Sequence, residues 1–218
     1  MNILYIFAHP EPKSFNSSMK EMAIRHLKEQ GNEVKLSDLH GMRFKPVLDQ
    51  SDFLQRRKND SFNAFLEQMN ASIEGTFSED IITEMEKVKW ADFLIFHFPI
   101  YFTGMPAIMK GWIDRVFSAG FAFNPIKQNF YEEGLLKGKK AMMVITTGAE
   151  EEWYSKGGKH GDIEELLRYI THCTFEYVGL EVMDTHLTFG AGKMSEQRGN
   201  EELKRYQERL NTLFPQDR

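Results

Sequence analysis

"ADFLIFHFPIYFTGMPAIMKGWIDRVF", residues 91–117, joins an apolar run to a turn and then to a helical stretch. The run "ADFLIFHFP" is continuous rather than alternating, as a strand covered on both faces requires. Asp92 and His97 interrupt it, and it is far too short to span a membrane. In "MPAIMKGWIDRVF" the proline, Pro106, falls in the first helical turn, where a missing N–H costs little. Strand, loop and helix in this order make one βα unit.

Reading outward, the same order recurs. "NILYIFA" at the start is a second short apolar strand, followed by the loop "HPEPKSFN" and the helix "SSMKEMAIRHLKEQG". Met19, Met22, Ala23 and Leu27 repeat there at helical spacing, Gly31 stops it, and Asn16, Ser17 and Ser18 are N-cap candidates. "EVKLSDL" is shorter and more polar, which suits a strand nearer a sheet edge. Residues 40–78 lose the pattern and read as a long excursion with one short helix, in which "RRK" at 56–58 is a solvated face. A helix over 79–90 then feeds the opening strand. Beyond residue 117 come an aromatic loop, the strand "AMMVITTG", a glycine-rich loop over 146–162, a helix near 162–174, the strand "LEVMDTHLTF" and a last helix over about 196–213. Strands alternating with helices imply a parallel sheet covered on both faces. Five strands predict a single flavodoxin-like doubly wound domain over residues 1–218, with strand order 2-1-3-4-5 by fold analogy.

The bulk numbers agree with a soluble globular protein: 218 residues, 41% hydrophobic and 27% charged. A net charge of −5 disfavours nucleic-acid binding. One cysteine, Cys173, excludes an intrachain disulfide framework and suggests a reducing compartment. "MNILYIFAHPEPK" has no basic n-region, so neither a signal peptide nor membrane insertion is expected, and the location implied is cytoplasmic. The twelve methionines read as core filler.

In a doubly wound sheet, ligands bind beyond the carboxyl ends of the strands near the switch point. Three loops should meet there: "HPEPKSFN", "PIYFTGMP" and "TTGAEEEWYSKGGKHGD". The first ends at a helix N-terminus, where free N–H groups and the helix dipole favour phosphate. With neither G-x-G-x-x-G nor a Walker motif present, a flavin fits better than a nicotinamide Rossmann site or a P-loop. Taken singly, His9 reads equally as a packing residue, Asn16 and Ser17 as caps, Tyr154 and His160 as loop residues, and Glu150, Glu151 and Glu152 as solvated charge.

The pieces "AHPEPKSFNSSMKE", "ADFLIFHFPIYFTGMPAIMKGWIDRVFSAGFAF", "ITTGAEEEWYSKGGKHGD" and "YVGLEVMDTHLTFG" resemble, in order and over nearly the whole chain, the NAD(P)H:quinone oxidoreductase (DT-diaphorase) family of the flavodoxin-like superfamily. The resemblance implies bound FAD rather than FMN, with NADPH or NADH as hydride donor. It assigns the diphosphate to the first loop, with His9, Ser14, Phe15, Asn16 and Ser18. The flavin ring would lie against Pro99, Ile100, Tyr101, Phe102 and Thr103 and against Thr146, Thr147, Gly148 and Ala149. Tyr154 and His160 match the family's catalytic pair; Tyr154 would also touch the cofactor. Phe123 and Asn124 would join them around the substrate, and Asp114 would approach the adenine end of the neighbouring subunit's cofactor in a homodimer. A phenol and an imidazole in one loop can stabilise charge developing at flavin N1 and O2 and move a proton.

The function implied is ping-pong reduction of quinones, and by extension of azo or nitro compounds. The alternative is an ancillary subunit of a potassium-efflux system, associated peripherally with the transporter. The chain departs from the family's pattern at Phe102-Thr103, Ala149 and Pro125, which bears on substrate preference. His172 matches one ligand of a metal site that some relatives carry, but Glu176 stands at the second position, so no metal is expected. Clustering of Phe98, Tyr101, Phe102, Phe121, Phe123, Phe130 and Tyr131 suggests an apolar patch that a second subunit would cover.

Overall fold

A computed structural model describes residues 1–56 and 61–215. Its central strand is β3 (Phe93–Pro99), in which every residue is buried. β1 (Asn2–Phe7) and β4 (Lys140–Thr146) flank it, and β2 (Glu33–Asp38) lies outside β1. All these pairs are parallel, in the order 2-1-3-4 expected from the sequence.

The fifth strand differs from its sequence reading by being split. β5 (Glu181–Val182) pairs with Lys140–Ala141, and β6 (His186–Thr188) pairs with Val144–Thr146. From Val182 to His186 the chain advances four residues (186 − 182), against three on β4 from Ala141 to Val144 (144 − 141). One residue is surplus, and the ladder opens as at a β-bulge.

Helices cover both faces. α1 (Phe15–Glu29) and α6 (Glu196–Leu213) pack on one, burying Met19, Ala23, Leu27, Tyr206 and Leu210 against Ile3, Tyr5, Phe93, Ile95 and Val144. α3 (Glu79–Trp90), α4 (Ala107–Val116) and α5 (Ile163–Ile170) cover the other, over Leu4, Ile6, Leu94, Phe96 and Ile145. Successive side chains of β3 thus enter opposite cores, each large one contributing about 1.5–3 kcal/mol. Met19, Met85, Met105, Met109, Met142 and Met143 are buried, in keeping with their reading as filler.

The excursion carries the short helix expected of it. It contains α2 (Ala64–Glu74), capped by the Asn63 side chain, and closes through a bridge between Phe53 and Phe77. Arg56 is not a solvated residue. Its guanidinium donates to the Gln50 side chain and the Ser61 carbonyl, both at 2.8 Å, and stacks on Phe62. Arg57 and Lys58 lie outside the described residues.

Arg115 of α4 clamps this segment to the domain. It is 1% exposed and donates to Asp52 (2.8 Å), Asp80 (2.6 Å) and the Lys45 carbonyl (2.9 Å). One turn earlier, a Cβ on Gly111 would stand 2.0 Å from the Pro46 carbonyl oxygen, so only glycine lets the backbones approach.

Removing one member of a buried ion pair strands the other. Arg115→Met is therefore expected to cost about 3 kcal/mol in urea denaturation, the low end for such a loss because Lys45 still holds Asp52. Adding Asp52→Leu should recover part of it; a double variant no more stable than the single would disprove the clamp.

Candidate active site

The carboxyl ends of β1, β3 and β4 open onto a cleft of about 520 Å³. Its first wall is the β1–α1 loop, with His9, Ser14, Phe15 and Asn16. Ser14 caps α1: its Oγ accepts the Ser17 N–H at 3.2 Å. The leading N–H groups of a helix have no intrahelical acceptor, so those of Phe15 and Asn16 remain for a ligand. His9 Nδ1 accepts the Glu11 N–H at 3.1 Å, leaving Nε2 for other partners, and burial lowers its pKa.

Pro99, Ile100 and Tyr101 form the second wall; Thr146, Thr147 and Gly148 form the third. The sequence reading missed a fourth contribution, Ala191 and Gly192. Their signal was available in "FGAGK", a small-residue run directly after a strand. The Ala191 N–H bonds to the Thr147 carbonyl and the Gly190 N–H to the Ala149 carbonyl, so this loop is tied to the third wall.

Other candidates lie elsewhere. Ser18 is exposed on α1 and does not line the cleft. Phe102 and Thr103 occupy the tip of a tight turn between Tyr101 and Gly104, both with positive φ, and also stand off the cleft. Ala149 packs against the core. Asp114 and Phe123 line a second cleft of about 430 Å³ with Phe117, Cys173 and Tyr177. Asp114 pairs there with Lys110 at 2.5 Å. The Asn124 side-chain oxygen accepts the Ile126 and Lys127 N–H groups, closing a turn.

Tyr154 and His160 do meet. Their rings lie 4.9 Å apart, with Trp153 5.1 Å from the imidazole and Phe189 5.9 Å from the phenol. Tyr154 is buried and its pKa raised by desolvation, while His160 is exposed. The loop folds back because the His160 N–H reaches the Trp153 carbonyl and because Gly158 sits where a Cβ would strike the Glu152 carbonyl at 2.4 Å. Neither side chain lines the 520 Å³ cleft; Tyr154 packs against Phe189, which precedes the cleft-lining Ala191 and Gly192 in the chain. Glu150 is not free charge, since it pairs with Arg198 at 3.1 Å.

The aromatic residues divide. Phe98 is core, whereas Phe123, Phe130 and Tyr131 pack on Tyr177, and Tyr131 also on His172. Tyr101, 48% exposed, and Phe102, 105% exposed, are the residues of the group left in solvent. His172 pairs with Glu176 at 2.6 Å. Among the described residues no helix is long and apolar enough to cross a membrane.

A parallel sheet with its cleft at the β1/β3 switch point and a helix N-terminus in the first wall defines the flavodoxin-like class. A family profile for the flavodoxin-like fold matches residues 1–210. Mouse ribosyldihydronicotinamide dehydrogenase (quinone) is 38% identical over 216 residues, covering 99% of this chain and 93% of that one. NAD(P)H dehydrogenase (quinone) 1 of Cavia porcellus is 40% identical over 97% of this chain and 76% of its own length. A solved Klebsiella pneumoniae protein, provisionally assigned as a quinone reductase, superposes with a TM-score of 0.93 at 39% identity, covering 100% of this chain and 86% of that one. The chain belongs to the NAD(P)H:quinone oxidoreductase family of flavodoxin-like oxidoreductases.

The sheet near the cleft carries two buried imidazoles. Burial holds the His97 pKa well below its usual value, with His186, His9 and Lys20 adding repulsion. Burial, with Arg205 and Arg209 nearby, pushes His186 down to about 3. Both rings are neutral when folded and take up protons below about pH 6.5 when unfolded. Acidification therefore favours the unfolded chain, and stability present above pH 6.5 is lost toward the folded pKa, at up to about 1.4 kcal/mol per pH unit per ring. His186→Phe, which keeps a ring against Tyr206, should lose stability less steeply between pH 7 and 5 in urea titrations. Equal slopes would place the acid sensitivity elsewhere.

Proposed function

We propose that the protein is an FAD-dependent NAD(P)H:quinone oxidoreductase that works by a ping-pong cycle in a homodimer. The observation that carries this reading is the convergence of four loops on one cleft at the switch point, with ten of the residues assigned to the cofactor in its walls. The chemistry of those walls fits the group. Helix N-terminal amides, Ser14, Asn16 and His9 suit a diphosphate, while Pro99–Tyr101 and Thr146–Gly148 offer two backbone edges to a flat ring. A Cβ on Gly148 or Gly192 would meet nothing within 4 Å, so the walls stand open beside both.

A bound flavin would supply the hydride-transfer chemistry between NAD(P)H and a quinone. The chain's own residues hold it, exclude water and manage charge. Tyr154, which lies outside the cleft lining and whose pKa is raised by burial, would in this reading be the proton donor to negative charge on a bound flavin ring. His160, exposed and in ring contact with Tyr154, can exchange the proton with solvent. The partner subunit supplies the remaining wall in this reading. Exposed Tyr101 and Phe102 beside one cleft, and Asp114 with Phe123 in the other, are the surfaces that a two-fold axis would bring together.

Purified protein should be yellow and release FAD on heating, as read by chromatography. FMN alone would refute the cofactor assignment. The named relatives differ in donor, so NADH, NADPH and dihydronicotinamide riboside should each be assayed with menadione. Tyr154→Phe with His160→Gln should slow flavin bleaching in stopped flow by ~10²-fold or more while flavin content holds. An unchanged rate would return both residues to a structural role. Light scattering should give a dimer, and a fully active monomer of about the chain mass of 25.4 kDa would overturn the shared site.

A further inference from the structure

Behind the first wall of the cleft, five buried side chains form one hydrogen-bonded network, of which Tyr206, Tyr5 and His97 do not line the cleft. Tyr206 Oη lies 3.2 Å from Tyr5 Oη, which lies 2.8 Å from His97 Nδ1. His97 Nε2 is 3.1 Å from Asn16 Oδ1, and the Thr146 Oγ1 hydroxyl donates to the same oxygen at 3.1 Å. The line crosses from α6 through β1 and β3 to α1 and ends at a residue lining the cleft. Tyr5, His97 and Tyr206 are wholly buried.

Counting protons fixes its direction. In one sense Tyr206 donates to Tyr5, Tyr5 to His97 Nδ1, and both His97 Nε2–H and Thr146 to Asn16 Oδ1, so every hydroxyl proton has an acceptor. Reversed, with the other imidazole tautomer and the amide flipped, the wholly buried Tyr206 proton loses its acceptor, and Thr146, in the cleft wall, loses its bond to Asn16 Oδ1. Among the described residues neither hydroxyl has another acceptor within bonding distance. A buried unmet donor is costly, so the first sense prevails. It commits both lone pairs of Asn16 Oδ1 inward and leaves the amide NH₂ as the group available to the cleft.

We propose that His97 is a positioning residue for the flavin site: it locks the Asn16 amide with its NH₂ toward the cofactor, making Asn16 a dedicated donor to an acceptor-rich ligand such as a diphosphate. This inference rests on the functional reading above. It also gives a reason for a polar side chain at the centre of the most deeply buried strand. Tyr5 acts at one remove, by holding His97 in the tautomer whose Nε2 carries the proton.

The test is a titration of flavin-stripped protein with FAD, followed by fluorescence quenching, with the melting temperature of each apoprotein measured alongside. His97→Leu should raise the FAD Kd about tenfold, the size of one hydrogen bond lost to a charged group. In an Asn16→Ala background the same change should alter Kd less than about twofold, because its target is gone. His97→Gln, which can donate to Asn16 and accept from Tyr5, should return Kd to within about threefold of wild type. A purely structural role predicts a fallen melting temperature with equal effects on Kd in both backgrounds, and that result would overturn the proposal. Should His97→Leu fail to fold, Tyr5→Phe, which keeps the ring and removes only the hydroxyl, should raise Kd about threefold, and no change would likewise overturn it. Wild-type protein that binds no flavin would instead sink the functional reading on which this rests.

Discussion

Seven consecutive buried residues, Phe93–Pro99, set the terms for everything around them. A strand with no exposed face must have helices on both sides and strands on both edges. β1 and β4 supply the edges, and their parallel pairing sends every following loop to the same end of the sheet. The cleft is thus a consequence of topology, since three carboxyl ends lie side by side where the chain reverses its direction of winding. The walls need only side chains of suitable chemistry, because the scaffold has already placed them.

The same burial makes polar groups in the sheet expensive, and the protein meets that cost by pairing them. Glu84, fully buried, accepts from Trp112 Nε1 at 2.7 Å, Ser37 at 2.6 Å and Lys87 at 2.6 Å, tying α3 to α4 and β2. Arg115 does the same between α4 and the excursion. Such groups add little net stability over an apolar core, but each is satisfied in one arrangement only, so they select a single register for the helices. His97 belongs to this set, with the difference that its last partner faces a ligand.

Much of this was legible in the sequence because periodicity and βα order are local signals. The strands at residues 2–8, 91–99 and 141–148 and the helices at 79–90 and 196–213 fall where their apolar patterns placed them. The split of the last strand was not legible, since one surplus residue changes register without changing composition. The excursion's one short helix was expected but not its bounds, because α2 buries Glu67, Gln68 and Ala71 rather than an apolar stripe. For the site, the loop residues singled out next to strand ends, His9, Ser14, Phe15 and Asn16 and then Thr146, Thr147 and Gly148, line one cleft. Asn124 spends its side-chain oxygen on an Asx turn, the same polar atom that a binding residue would use. Arg56 failed because a charge run carries no sign of which member is folded inward.

The turn at Phe102 shows what remains unsatisfied in a single chain. Phe102 and Thr103 both have positive φ, at 47° and 60°, a region that side chains with a Cβ enter at a cost of about 1–2 kcal/mol each. Two backbone bonds between Tyr101 and Gly104, at 2.9 and 3.0 Å, hold the turn. Glycine or asparagine would form it with less strain. Instead the position carries a phenylalanine whose ring is entirely in water, next to a half-exposed tyrosine that lines the cleft. Strain and exposure at one residue both oppose the isolated fold; the two backbone bonds offset the strain, while the ring stays uncovered by the described residues. Burying that ring, by a partner subunit or by ligand entering between the walls, would recover about 1.5–3 kcal/mol. The exposed ring is therefore a standing cost to the single chain.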